Sequence, residues 1–309
     1  MHSPNFKIWF LLLLSAGLLY GSDNPKPYDS FPQLRGAYLG QTPPGLLPQI
    51  FCAGFLKPPE GFHSSVTFSP DMIQAYWTSQ GIHTFRTRLE NGVWIRPEEL
   101  LFDSTYGIGE VTWATDGTKL FFLSRRPVGS ETMGRERIWY SEIRDGIFSE
   151  PKPVSEVVNN HPTHWQFSIA ANGNLYFTSE IEGVRGQQDI FVADWDGQKF
   201  APPIDLGPSI NSDVRDFAPF VAPDESYLIF ARSVPEESNR SDLFISFKNT
   251  SGNWTRAVNM GDTINSLHNE VCPVVTPDGK YLFYCRLSGD INEVYWVSTA
   301  VIDSLKTKQ

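Results

Sequence analysis

Basic runs are absent from this chain. Its 309 residues hold 25 Lys and Arg against 35 Asp and Glu, a formal net charge of −10. Phosphate backbones are gripped by clustered Lys and Arg, so nucleic acid is excluded as a partner. Familiar catalytic signatures are missing too. There is no Gly-x-Ser-x-Gly elbow, His-Glu-x-x-His pair, phosphate-binding loop or dinucleotide fingerprint. Cysteine is scarce, with only Cys52, Cys272 and Cys285. That odd count leaves at least one thiol unpaired.

Long apolar runs are lacking beyond the first residues. Ile8 to Leu19, after Lys7, is the longest. About a dozen apolar residues are too few to cross a bilayer comfortably. The stretch reads as a secretory signal peptide over residues 1–21, with an uncleaved anchor as the alternative. No Cys follows it, so a lipid anchor is not supported. Export to a periplasm or out of the cell is expected, with no transmembrane domain after signal removal.

Aromatics, by contrast, reach 14%, with 24 Gly and 23 Pro. This composition suits many short strands joined by turns. A turn recurs five times, with its Asp or Asn at Asp71, Asp116, Asn172, Asp224 and Asp278, spaced 45, 56, 52 and 54 residues apart. Each turn joins two apolar runs, as Val275-Thr276-Pro277-Asp278-Gly279 leads into Tyr281-Leu282-Phe283-Tyr284. A third strand follows, such as Asp242-Leu243-Phe244-Ile245, then a second turn and a short Pro-bearing strand such as Ala201 to Gly207. Proline fits an edge strand, where a missing donor costs least.

Four antiparallel strands at this period make a propeller blade. The expected fold is all-β, a single β-propeller of five four-stranded blades over residues 48–302. A six-bladed ring is the alternative, because the long interval around residues 127–136 leaves slack. Residues 22–47 form an N-terminal extension and 303–309 a C-terminal tail. The fifth unit lacks its fourth strand. Pro48 to Gly54 resembles that strand and is expected to close the ring from the other terminus.

The hairpin turns also bear on cysteine pairing. A type I turn with a glycine bulge would place Thr276 opposite Lys280 and Cys272 opposite Tyr284, not Cys285. Free thiols are therefore expected.

Ser69-Pro70-Asp71, Pro277-Asp278-Gly279-Lys280-Tyr281-Leu282-Phe283 and Gln188-Asp189-Ile190-Phe191-Val192 resemble the WD-like propeller repeats of the TolB type. Ile210-Asn211-Ser212, Ile264-Asn265-Ser266 and the lead-in Tyr38 to Leu46 also fit. The likeness spans roughly residues 36–300. Met72, Asn172 and Glu225 depart from the turn consensus. Such repeats specify fold and leave function open. By analogy of fold, the resemblance implies an envelope or extracellular protein, peptide or glycan as partner, and a monomer.

The turn residue serves as a common ruler. Eight positions before it stand His63, Ile108, His164, Asp216 and Glu270. Four are polar, and Glu110 lies two residues beyond the exception. His161, Asn211, Asn265, His268 and Asn269 adjoin them. A ring of this kind at a channel mouth suits ligand binding. His63, His164, Asp216 and Glu270 would also suit a divalent metal, or the acid–base work of a hydrolase or lyase. The competing reading is architectural: polar residues at strand starts satisfy loop backbone, and a repeat puts them in every blade. That reading is favoured, and no cofactor is expected. Arg125, Arg126, Arg232 and Arg286, at the ends of second strands, would bind carboxylates or sugars, or pair between blades with acids such as Asp242 and Glu293. Trp94, Phe148, Phe200 and Trp254, after the second turns, would stack on sugars or, more in keeping with their repeated place, pack between blades.

Overall fold

The computed structural model describes residues 28–56, 58, 61–79, 83–102, 105–131, 134–180, 187–235, 237, 240–289 and 291–306. The expected signal peptide lies outside the described residues, as do residues 22–27 and 307–309.

Five antiparallel sheets surround one axis. Their inner strands are Thr67–Phe68, Gly109–Trp113, Thr163–Ile169, Asp216–Val221 and Asn269–Val275. From the first blade to the fifth, successive inner strands pack against one another. Each outer strand is only two residues long: Glu98–Glu99, Lys152–Pro153, Ile204–Asp205, Val258–Asn259 and Gln49–Ile50. Short outer strands limit the exposed edge. Residues 127–136 hold no strand among those described, so the ring has five blades.

The chain closes its own circle. Gln49 pairs with Trp296 and Ile50 with Tyr295, so the N-terminal strand completes the last blade. Phe51 then inserts between blades, with ring centroids 4.9 Å from Phe283 and 5.2 Å from Trp296. The extension before it also takes part. Leu34–Arg35 pairs with Val93–Trp94 of the first blade. Trp94 is buried and donates Nε1–H to the Gly36 carbonyl at 2.7 Å. The Tyr38 hydroxyl donates to Asp278 of the fifth blade at 2.5 Å. One segment thus clasps both blades at the closure.

The repeated turn is stabilised the same way everywhere. Asp71, Asp116, Asn172, Asp224 and Asp278 each accept, through the side-chain oxygen, the backbone N–H two residues on. This is the local bond that favours Asp and Asn in turns. The next residue is left-handed, with φ of 73° at Gly117 and 73° at Gly279, but also 61° at Met72 and 57° at Glu225. The two non-glycines carry strain there. Glu225 offsets it with hydrogen bonds from Tyr176 (2.6 Å), Asn174 (3.0 Å) and Lys248 (2.9 Å).

A second recurring device links blades. Asn159, Asn211 and Asn265 each accept from and donate to one backbone residue of a third strand: Ile138, Ile190 and Leu243 respectively. The side-chain amide continues the ladder where the outer strand has ended. Asn211 and Asn265, considered above as neighbours of a site, are therefore buried connectors.

The three cysteines are free and buried. The expected register is one residue off: the Thr276 amide donates to Tyr281, not to Lys280. That shift alone would set Cys272 opposite Cys285. A bulge at Cys272, whose φ is 55°, moves Val271 into that place. The extra residue of a bulge re-aims its strand.

Candidate functional site

Counting back from each turn resolves the axis into three levels. Eight residues back, at the strand starts, the predicted ring does not form one cluster. Asp216 is fully buried and accepts Arg232 Nε–H at 2.5 Å, together with the Ser212 amide and hydroxyl, both at 2.7 Å. Arg232 spends a second N–H on the Ile210 carbonyl. The fifth blade repeats the arrangement. Glu270 is fully buried and takes Arg286 Nε–H at 2.7 Å and the Ser266 hydroxyl at 2.6 Å, while Arg286 also reaches the Ile264 carbonyl. These are intrablade clasps, not the interblade pairs with Asp242 and Glu293 expected for the arginines. Burial pushes the Asp216 carboxyl up, and Arg232 and Ser212 pull only part of the way back.

His63 stands apart. Its Nε2 lies 3.2 Å from Glu110 of the next blade, and its side chain stays one-quarter exposed while that of Glu110 is buried. His164 sits in the inner strand of the third blade, paired with Thr178; its side chain lies outside the described residues. Ile108 is buried. Arg125 points outward, 69% exposed and 3.9 Å from Glu136. Among the described residues, no three His, Cys, Asp or Glu side chains meet at a point that would hold a metal ion.

Six residues back stand Ser65, Glu110, Gln166, Ala218 and Cys272, all buried. Glu110, Ala218 and Cys272 have φ between 52° and 55°. Bulges here turn the inner strands, and contacts between blades fill the axis. Gln166 donates to the Pro273 carbonyl at 2.6 Å, and the Thr178 hydroxyl accepts the Ala218 amide at 3.0 Å. Burial, with the Glu110 carboxylate nearby, pushes the Cys272 thiol well up and keeps it neutral.

Four residues back the axis opens. Thr67, Thr112, Ser168, Phe220 and Val274 line a cavity of about 300 Å³ to which every blade contributes. Phe68, Trp113, Tyr227 and the turn prolines Pro70, Pro223 and Pro277 complete its wall. Among the described residues, no Asp, Glu, His, Cys, Lys or Arg lines it. Its size matches a small-ligand or side-chain pocket. The sequence reading missed this level. The same ruler, read four residues back instead of eight, would have reached it.

Fold and axis together define a five-bladed β-propeller. No family model and no curated protein matches the chain. It is similar to the solved structure of a protein assigned as TolB from Agrobacterium tumefaciens, at 17% identity, a TM-score of 0.53, and 78% coverage of each chain. An oligogalacturonate lyase in complex with manganese aligns at 14% identity and a TM-score of 0.44, covering 78% of this chain and 79% of that one. A puromycin-hydrolyzing peptidase from Mycobacterium tuberculosis aligns at 12% and 0.42, over 73% of this chain and 34% of the peptidase. At 17% identity the likeness to the Agrobacterium protein is one of fold alone.

Proposed function

We propose that the protein is an exported, non-catalytic binding module of the periplasm or the extracellular space. In this reading it works as a monomer without a cofactor, and holds a protein, peptide or glycan at the face formed by the repeated turns. The five-blade cavity carries the proposal. Its wall offers aromatic rings, prolines and hydroxyls and, among the described residues, no group that titrates near neutral pH. General acid–base work needs such a group within hydrogen-bond reach of the substrate. The carboxylates at the strand starts are meanwhile occupied by Arg232 and Arg286. No helix among the described residues is long and apolar enough to cross a membrane.

Peptide and glycan arrays, with envelope extract as a third source, test this. Wild-type protein should retain a ligand that Val274→Arg, which puts a long cation into the cavity, releases. Equal retention by both would overturn the proposal.

One observation favours a second reading, a hydrolase or lyase. The His63–Glu110 pair joins a solvent-facing imidazole to a buried carboxylate, as a base and its orienting group are joined. Turnover of any glycan or peptide substrate, lost in His63→Ala and kept in Val274→Arg, would establish it.

A further inference from the structure

Between the second and third blades lies a separate cleft of about 460 Å³. Its walls are aromatic: Phe121, Tyr140, Trp195 and Phe200 all line it. Lys119 is half-buried among them, its Nζ 5.3 Å from the Tyr140 ring centroid and 6.0 Å from that of Trp195. Among the described residues no carboxylate forms an ion pair with it. Glu142, its partner across the strands, is engaged by Arg144 and Lys152. Asp116, at the rim, receives the Thr118 amide and hydroxyl and acts on Lys119 only through space, beyond ion-pair contact. Lys199 adds a second cation to the lining. Lys119 and Lys199 against Asp116 leave the lining one charge positive, in a chain whose net charge is −10.

The tryptophan wall is a built feature. Gly173 has a φ of +91°, and a Cβ there would fall 2.6 Å from Trp195 Cδ1. Only glycine lets the turn and the indole lie this close. The Trp195 amide is tied to Asn174 Oδ1 at 2.9 Å, and its ring centroid lies 4.7 Å from that of Phe200.

We infer that this cleft binds a saccharide unit bearing a carboxylate. Aromatic faces take the C–H face of a sugar ring, and an ammonium half-withdrawn from water pairs with its acid. Thr118, Asn172 and Gln198 at the rim supply partners for hydroxyls. An apolar acid would leave that rim unused, and a neutral sugar would leave Lys119 without a carboxylate in contact. This site adjoins the five-blade cavity but does not share Lys119, Tyr140, Trp195 or Phe200 with it.

Calorimetry and tryptophan fluorescence with the intact protein test the inference. The probes are disaccharides containing glucuronate, galacturonate or mannuronate, their neutral counterparts, and benzoate. At least one uronate should bind tenfold or more tightly than its neutral counterpart and than benzoate. Lys119→Met should erase that preference, and Trp195→Ala should abolish binding, with melting temperatures of both variants showing an intact fold. Val274→Arg should bind the uronate normally, which separates this site from the axial one. Failure of every uronate, equal binding of the neutral sugar or of benzoate, or unchanged selectivity in Lys119→Met would each overturn the assignment.

Discussion

Removing the guanidinium of Arg232 or Arg286 strands a fully buried carboxylate. Each arginine uses two different nitrogens, one on the acid and one on a backbone carbonyl. Arg232→Ala should therefore cost about 3–5 kcal/mol in chemical denaturation, the usual penalty for breaking a buried pair. Arg232→Lys should rescue little, since one ammonium cannot reproduce the fork. The Glu225 carboxyl should make stability depend on pH. Burial by itself would raise its pKa, yet hydrogen bonds from Tyr176, Lys248 and Asn174 hold it below the usual range. A carboxyl depressed in the fold adds stability above its unfolded pKa, about 4.3, and loses it as pH falls through the folded value. Glu225→Gln should accordingly destabilise the protein more at pH 7 than at pH 3. A penalty independent of pH would contradict the charge-based account. Asp216 has the opposite sign: its raised pKa favours the fold below the unfolded value, and that contribution fades as pH climbs through the folded one.

At the scale of elements, the turns and the asparagine connectors are what the repeat is made of. Asn211→Ala removes both bonds to Ile190 and leaves a buried amide and carbonyl without partners. A loss of about 2–3 kcal/mol is expected from thermal or urea unfolding. Asn211→Asp should lose more still, because it keeps an acceptor for the Ile190 amide but sets a buried carboxylate against the Ile190 carbonyl and the Asp205 carboxylate, to both of which the Asn211 amide donates. These elements were legible in the sequence because turn chemistry is local. Asp71, Asp116, Asn172, Asp224 and Asp278 declare themselves through spacing and their neighbours. The inner-strand bulges were not legible. A left-handed Glu110 or Cys272 breaks the propensity rules, and only contacts from other blades hold it there. The one-residue error at the turn and the unforeseen bulge at Cys272 offset each other, so Cys285 faces Val271 and not Cys272. Missing the bulges also hid which inner-strand residues face the axial cavity. Arg232 and Arg286 were found as a set, yet given the wrong partners. An acid eight residues before the turn and an arginine eight after it meet only once the hairpin is folded.

For the molecule as a whole, stability rests on closure of the ring. The N-terminal segment contributes a strand to the fifth blade, another to the first, and Phe51 to the core between them. Phe51→Pro removes the amide that donates to Val294 and the ring that packs on Phe283. It should lower stability by at least about 3 kcal/mol and make unfolding less cooperative as the first and last blades separate. Retained single-step unfolding with an unchanged midpoint would show that closure matters less than the pairing suggests. The closed ring also divides the axis. Interblade contacts fill the level of Glu110 and Gln166, and the open cavity lies toward the turns. The most direct measurement compares ligand capture by wild type, Val274→Arg and His63→Ala from one array of peptides and glycans. The account predicts that Val274→Arg loses the bound set while His63→Ala keeps it. Loss in His63→Ala with retention in Val274→Arg would move the site to the other end of the channel and contradict the account.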